Sequence, residues 1–129
     1  MSVNSVPLNP GSGPVLIGTA KIGSVDFQVV LAGTSYETVA ASQSAQVMGA
    51  TGAAGDYLLG VLIVPATTSP GAVTITDGTG SAITIFAGGS TSVSNLVPFM
   101  VPIGAISTSG AWQVTTGTNV SAIGVGRFT

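Results

Sequence analysis

The side chains that could perform acid–base or metal chemistry are few in this chain. Its four carboxylates are Asp26, Glu37, Asp56 and Asp77, and the sequence contains no His and no Cys. The usual general base, the thiol nucleophiles and the common zinc ligands are therefore missing, and a Ser-His-Asp triad is impossible. We expect no enzyme activity, no cofactor and no metal site.

The carboxylates are better explained by turns than by catalysis. A hydrolase with paired carboxylates would need two of them in one cleft. Asp77 opens a Gly-rich turn, where Asp commonly hydrogen-bonds its own backbone, and Asp56 stands just before a strand in a similar position. Calcium could use Asp and carbonyl oxygens, but the dense, spaced acids of a calcium loop are absent from the sequence. We interpret these acids as structural.

Charge is scarce along the whole chain. Only 5% of the residues are charged and the formal net charge is -2, whereas about 25% of residues are charged in ordinary soluble domains. The cations, Lys21 and Arg127, cannot neutralise a run of phosphates, so we expect binding neither to nucleic acid nor to an anionic membrane. Such an uncharged surface suits a protein packed against partners, or alternatively a secreted or cell-surface protein.

No segment predicts membrane insertion or export. The longest apolar run, residues 57–64, is far shorter than the roughly 20 residues of a membrane helix. Residues 1–13 lack the positive and hydrophobic regions of a standard signal peptide. The absence of Cys excludes a disulfide and fits an intracellular assembly environment.

The centre of the chain has the pattern of a buried strand followed by a hairpin. Residues 57–64 are apolar throughout, whereas residues 73–76 and 83–85 alternate apolar and hydroxyl side chains around a Gly-rich link. This alternation predicts half-buried strands, and the link predicts the turn between them. In the first run, strict alternation places Tyr57, Leu59, Val61 and Ile63 on one face and Leu58, Leu62 and Val64 on the other.

Short strands are predicted on both sides of this centre. They cover residues 15–21, 25–31, 93–101, 103–107, 111–115 and 120–128. For residues 36–48 we favour strand or loop over a short helix at residues 38–47, because Ser and Thr interrupt a weakly amphipathic pattern. Strands spaced about 8–12 residues apart predict an all-β fold, an antiparallel β-sandwich, and we favour the jelly-roll topology.

The first 14 residues differ from the rest. Residues 1–14 carry three prolines and no charge, which excludes a helix or a central strand. We predict an extended arm at residues 1–14 and a single sandwich domain at residues 15–129. The apolar side chains of Val3, Val6 and Leu8 favour an arm that orders against a neighbouring subunit over a disordered tail.

Large aromatic side chains provide the other candidates for contact with partners. Tyr57, Phe99, Trp112 and Phe128 are each better explained by core packing, with an interface anchor as the alternative. Together with Val3, Val6 and Leu8 they form the set of candidate interface residues. A sugar platform on Trp112 would suit a carbohydrate-binding sandwich. The Thr-Ile-Thr run at residues 74–76 suggests the arrays of ice-binding β-proteins, but the hydroxyl side of an ordinary strand explains it better.

Four stretches resemble the head decoration, or cement, proteins of tailed bacteriophages. They are GAAGDYLL at residues 52–59, VTITDG at 73–78, LVPF at 96–99 and VTTGT at 114–118. The resemblance covers roughly residues 49–129 and implies a β-sandwich or jelly-roll module that sits on the capsid shell, often as a trimer. It implies a structural protein that clamps adjacent major capsid subunits against the pressure of packaged DNA.

The expected partners are therefore the major capsid protein and further copies of this chain in a trimer. We expect synthesis in the host cytoplasm and a final location on the virion surface. The alternatives are another phage structural component, of the tail or a fibre, and a carbohydrate-binding or adhesion module.

Overall fold

The structure is a computed structural model that describes residues 19–22, 25–28 and 34–129. Every regular element within these residues is a β-strand, and none of them is helical. The chain divides into two compact units, Met1–Ala32 and Gly33–Thr129. The predicted all-β class is confirmed.

The first unit contains one antiparallel hairpin in its described residues. Strands β1 (Thr19–Ile22) and β2 (Val25–Gln28) pair so that Lys21 lies opposite Asp26. β2 falls within the predicted strand at residues 25–31, and β1 overlaps the predicted strand at residues 15–21 and ends one residue later. The rest of those stretches, residues 15–18 and 29–31, lies outside the described residues. The predicted arm at residues 1–14 lies outside them as well, so the domain boundary at residues 14 and 15 stays a prediction.

The second unit contains two antiparallel sheets of four strands each. Its strands are β3 (Ser35–Val39), β4 (Gln46–Val47), β5 (Tyr57–Pro65), β6 (Val73–Asp77), β7 (Ile83–Phe86), β8 (Phe99–Ile106), β9 (Trp112–Thr116) and β10 (Val120–Arg127). The first sheet has the order β3-β10-β5-β8 and the second the order β4-β9-β6-β7. Two such sheets with a shared apolar core are a β-sandwich, as predicted.

The core lies where the inward side chains of both sheets meet. The first sheet contributes Val39, Leu58, Val61, Ile63, Val120 and Ala122, and the second contributes Val73, Ile75, Trp112 and Val114, with Met48 beside them. At one side, Phe86 of β7 and Phe99 of β8 meet edge to face with ring centroids 5.4 Å apart. Such an aromatic pair adds to the apolar burial that holds the two sheets together.

The hairpin predicted at the centre of the chain is confirmed. β6 and β7 pair antiparallel, with Ile75 opposite Ile83. The Gly-rich link forms the turn, in which Gly80 N donates to Asp77 O over 2.7 Å. Gly78 has a φ of +53°, in the left-handed region that favours glycine in turns.

The predicted faces of the central strand are wrong at its start. Leu58, Val61 and Ile63 are fully buried, whereas Leu59 is 42% exposed. The register between β5 and β10 shifts there, because Val125 pairs with Gly60 and the next residue of β10 pairs with Leu58. This β-bulge adds one residue and exchanges the two faces for the residues before it.

Two further stretches refine the predicted elements. Residues 36–48 form strand and loop, as favoured over a helix, in β3 and β4. The two strands predicted at residues 93–101 and 103–107 are instead one strand, β8, preceded by a loop. Pro102 lies inside β8, where it is tolerated because β8 is at the edge of its sheet.

Candidate interaction surface

The carboxylates whose side chains the structure describes all accept hydrogen bonds from distant backbone. Glu37 Oε2 accepts from Gly49 N over 3.0 Å, and Asp56 and Asp77 bind other loops in the same way. No group of three or more His, Cys, Asp or Glu that could hold a metal ion occurs in the part of the chain that the structure describes. Glu37, Asp56 and Asp77 therefore each hold a distant segment of the chain in place.

Asp56 is a buried junction between strand ends. Only 2% of it is exposed. Its carboxylate accepts from Thr129 N over 3.1 Å and from Thr129 Oγ1 over 2.9 Å. Its backbone oxygen accepts from Trp112 Nε1 over 3.1 Å. Asp56, the residue before β5, thus holds Thr129, which follows β10. It also accepts the hydrogen bond that the buried indole N–H of Trp112 requires.

Asp77 is an accessible counterpart at the end of β6. Its Oδ1 accepts from Ser109 N and from Thr108 N, each over 2.9 Å, and its Oδ2 accepts from Thr108 Oγ1 over 2.8 Å. The backbone donors of Ser109 and Thr108 hold the pKa of this carboxyl below its usual value of 3.8. The predicted bond to its own turn is wrong for the side chain, since β6 ends beside the loop that leads into β9.

Two clefts open between loops of this unit. One, of about 360 Å³, is lined by Asp56, Tyr57 and Arg127 among others. The other, of about 460 Å³, is lined mostly by small uncharged residues, including Gly52 and Gly110. The one carboxylate in the first cleft is already bound to Thr129, so neither cleft brings together a nucleophile and a base.

The outer surface of the first sheet is apolar. Register and alternation place Thr38, Ile123, Leu62 and Met100 in one row across the four strands, and Tyr36, Val125, Gly60 and Pro102 in the next row. We call the apolar members of this surface the apolar face: Tyr36, Tyr57, Leu59, Leu62, Val64, Met100, Pro102, Ile106, Ile123 and Val125. Antiparallel sheets usually present polar residues on the side away from their core.

The exposure of the apolar face is substantial. Tyr36 is 69% exposed, Ile106 60% and Met100 47%. The charged side chain at the margin of this face is Arg127, which pairs with Tyr57 in the row that ends at Ile106. A contiguous exposed apolar surface of this kind is typical of a protein contact site.

The outer surface of the second sheet has different chemistry. Thr84, Thr74 and Thr115 form one row across β7, β6 and β9, and Gln113 stands beside Thr76 in the next. We call these five residues the hydroxyl face. Their hydroxyl and amide groups can bind water directly. The apolar exception in the second row is Val47, which pairs with Gln113 and is 41% exposed.

The predicted interface residues fall in different places. Tyr57 is half-buried on the apolar face, whereas Phe99 and Phe128 pack against the core. Trp112 is only 4% exposed and belongs to the core itself. Val3, Val6 and Leu8 lie outside the described residues. A role of any of these seven residues at an interface stays a prediction.

Sequence reasoning missed Leu59, Met100 and Ile106 as surface residues. Leu59 was hidden by the bulge, which alternation alone does not reveal. Met100 and Ile106 were assigned to two predicted strands, residues 93–101 and 103–107, whereas both lie in β8. The available signal was Gly60, since glycine inside a strand often marks a bulge or a close approach; a Cβ there would lie 2.8 Å from Met100 Sδ.

The comparisons with known proteins add no relative. No protein-family model, no curated protein and no solved structure matches this chain. Separately, no helix long and apolar enough to cross a membrane occurs among the described residues.

Proposed function

We propose that this chain is a non-enzymatic structural protein of a bacteriophage virion. It binds the outside of the capsid and stabilises the shell by bridging major capsid subunits. The observation that carries this proposal is the apolar face, which leaves side chains such as Tyr36, Met100 and Ile106 uncovered in a chain with 5% charged residues. An uncharged apolar surface gains free energy when another protein covers it.

The chemistry of the rest of the molecule supports a mechanical role. Bridging two subunits requires contact area and hydrogen bonds, and it requires no nucleophile or general base. Glu37, Asp56 and Asp77 hold loops and strand ends together. A carboxylate committed to the scaffold in this way keeps surface loops in a fixed shape, which favours a binding surface that is ordered before contact.

We further propose that the sandwich has jelly-roll topology. The strand order supports this assignment, because the pairs β3–β10, β4–β9, β5–β8 and β6–β7 nest inside one another along the chain. The same nesting arises when one long antiparallel ribbon is folded across two sheets. Jelly rolls occur in viral capsid and lectin domains, so the topology is compatible with the proposed role and does not decide it.

The proposed partners are the major capsid protein and further copies of this chain, assembled as a trimer on the capsid surface after synthesis in the host cytoplasm. A closed oligomer would bury neutral surface that charge repulsion does not keep apart. Lys21 and Arg127, the cations of the chain, are too few for binding along a nucleic-acid backbone or to an anionic membrane.

The alternatives gain no specific support. Trp112 cannot serve as the sugar platform of a carbohydrate-binding module, because it is buried and its indole nitrogen donates to Asp56 O. A tail or fibre component could use the same apolar face, and it differs from a capsid protein only in the partner that covers that face.

Sedimentation of the fluorescently labelled protein with purified virion parts tests the proposal. The protein is mixed either with capsids of the same virus from which accessory proteins have been removed, or with isolated tails. We expect saturable binding to capsids that an excess of unlabelled protein competes away, and a native mass three times that of the chain by light scattering. Binding to tails alone, or no binding to either part, would contradict the capsid function.

A shortened variant tests the predicted arm within the same assay. Removing residues 1–14 is expected to weaken capsid binding, since this segment carries Val3, Val6 and Leu8 without any charge. The control is the thermal midpoint of the shortened protein, which should stay unchanged. Equal capsid occupancy with and without residues 1–14 would remove the arm from the interface.

A further inference from the structure

The turn between β6 and β7 holds the single Asp-Gly pair of the sequence, Asp77–Gly78. In a flexible chain, the backbone nitrogen after an Asp can attack the side-chain carboxyl of that Asp, which closes a five-membered succinimide ring and releases water. Glycine in the second position permits this attack most easily, because it has no Cβ to hinder the approach. The other Asp residues are each followed by a large aromatic residue, so position 77 is the most reactive of them.

The fold requires glycine at position 78. Gly78 has a φ of +53°, which L side chains rarely adopt. A Cβ at this position would also overlap the backbone of Ser109 and Gly110. The turn therefore fixes the reactive pair in the sequence, and its reactivity depends on what surrounds the two reacting groups.

The carboxyl group of Asp77 is held by the loop between β8 and β9. Ser109 N and Thr108 N donate to Oδ1 over 2.9 Å each, and Thr108 Oγ1 donates to Oδ2 over 2.8 Å. Rotation of the side chain towards the next backbone nitrogen would break these bonds. The backbone donors of Ser109 and Thr108 also hold the pKa of the carboxyl below 3.8, and the ionised form reacts poorly because an oxygen must be protonated to leave as water.

The attacking nitrogen is held by the same loop. Gly78 N donates to Ala111 O over 2.9 Å. A reaction between two groups requires their atoms to approach within about 3–3.5 Å with aligned orbitals, and Gly78 N must leave Ala111 O before its lone pair can turn to the carboxyl. We call residues 108–111 the clamp loop, because they bind both reacting groups.

We infer that Asp77–Gly78 is a latent site of isoaspartate formation, which the clamp loop keeps closed in the folded protein and which opens when that loop departs. Gly78 N then bonds to Asp77 Cγ, a C–O bond of the carboxyl breaks, and the oxygen leaves as water with the amide proton. Water next adds to a ring carbonyl. Addition at the former main-chain carbonyl yields isoaspartate, without a change in mass and without an oxidant or reductant. This inference does not rest on the proposed function.

Isoaspartate at position 77 would prevent the clamp loop from closing again. The main chain would run through the former side chain and gain one carbon, and the former main-chain carbonyl would become a free carboxylate. The bond from Gly80 N to Asp77 O and the pairing of Asp77 with Trp112 both depend on the ordinary backbone. The modification would therefore mark chains whose clamp loop has opened.

Ageing of the full chain in two solvents tests the inference. The protein is incubated at neutral pH and one temperature, in buffer and in concentrated guanidinium chloride. Isoaspartate at position 77 is measured after digestion by electron-transfer fragmentation, which distinguishes it from aspartate of equal mass. We expect at least about tenfold less in buffer, because reaction in the folded protein requires the clamp loop to open first. Equal amounts in both solvents, or none in the denatured chain, would overturn the inference.

A pair of substitutions tests whether the clamp loop provides the protection. Thr108→Val removes the hydroxyl that donates to Asp77 Oδ2, and Thr84→Val makes the same exchange on the hydroxyl face as a control. In buffer we expect isoaspartate to form at least about twofold faster in Thr108→Val, since a hydrogen bond to a charged acceptor is lost, and at the unmodified rate in Thr84→Val. Circular dichroism checks folding; if Thr108→Val is unfolded, the two-solvent comparison decides alone. An unchanged rate in folded Thr108→Val would overturn the role of the clamp loop.

Discussion

The two outer surfaces of the sandwich differ although the sheets behind them are built alike. Both sheets have four antiparallel strands, and both send their alternate residues into one core. Outward, the first sheet presents residues such as Leu62, Met100 and Val125, and the second presents Thr74, Thr84 and Thr115. Because the core constrains only the inward positions, the outward positions are free to match their surroundings. The apolar face is therefore suited to contact with another protein, and the hydroxyl face is suited to contact with water.

The two sheets also differ in how an acid anchors them. Asp56 stands at the start of β5 in the first sheet and is buried, whereas Asp77 ends β6 in the second sheet and is accessible. Both bind backbone N–H groups of a distant segment. The buried anchor has no access to compensating water, so removal of its charge should have the larger effect on stability.

The largest expected effect tests the face assignment of β5 directly. Leu58→Ala should lower the free energy of unfolding by about 2–5 kcal/mol, as for other fully buried leucines. Leu59→Ala should change it by less than about 1 kcal/mol, because Leu59 is 42% exposed. Urea denaturation of both variants is the measurement. If the two effects are reversed, the bulge is misplaced and Leu59 leaves the apolar face.

The second largest effect on the free energy of unfolding is expected at Asp56, the buried acid of the first sheet. Asp56→Asn should cost about 1–3 kcal/mol of unfolding free energy, because the amide turns a donor towards Thr129, whose N and Oγ1 both donate to the carboxylate. Urea denaturation at neutral pH measures the loss. A matched control is Glu37→Gln, which keeps an acceptor for Gly49 N in a half-buried setting. Equal stability of Asp56→Asn and the unmodified protein would contradict the anchor role.

The contribution of Asp77 to the stability of the protein should depend on pH. Since folding lowers the pKa of Asp77 from 3.8, its contribution to stability is present above that value and is lost as the pH falls through the folded pKa. The thermal midpoint of the unmodified protein should therefore exceed that of Asp77→Asn at pH 7. The gap should begin to narrow below about pH 4 and close as the pH falls below the folded pKa. If the difference between the two thermal midpoints stays constant down to pH 2, it does not arise from the charge of Asp77.

The smallest expected effect on stability belongs to substitutions that give each face a side chain typical of the other face. Met100→Thr and Thr84→Val should each change the free energy of unfolding by only about 0.5 kcal/mol, as is usual for surface positions. Binding of a hydrophobic dye should fall in the first variant and rise in the second. If dye binding does not respond to Met100→Thr, the apolar face is not the surface that the dye detects.

Much of this fold could be predicted from local patterns. The alternation of residues 73–76 and 83–85 gave the β6–β7 hairpin, and core packing was the favoured explanation for Trp112, which is buried in β9. Turn residues such as Gly117 and Asn119 marked the ends of strands; Asn119 has a φ of +59°, which Asn adopts more readily than most residues.

The remainder depended on information that is not local. The bulge at Leu59 requires one extra residue against β10, and no feature of Leu58 or Leu59 alone reveals it. Asp56 and its partner Thr129 are 73 residues apart, so the composition near Asp56 predicts a turn and not this contact. The apolar face likewise appears only when the register sets Met100 beside Leu62 and Leu62 beside Ile123.

The nested pairing of the strands has a consequence for how the chain folds. β6 and β7 join residues close in sequence, whereas β3 and β10 join Ser35 to Gly126, which are 91 residues apart. Because closing a longer loop costs more entropy, we expect β6–β7 to form first and β3–β10 last. During synthesis β5 can pair with β8 first, but its other neighbour in the sheet, β10, is made last. Until then we expect the apolar residues of β5 to be open to other nascent chains, which makes this stage of synthesis the one most prone to aggregation.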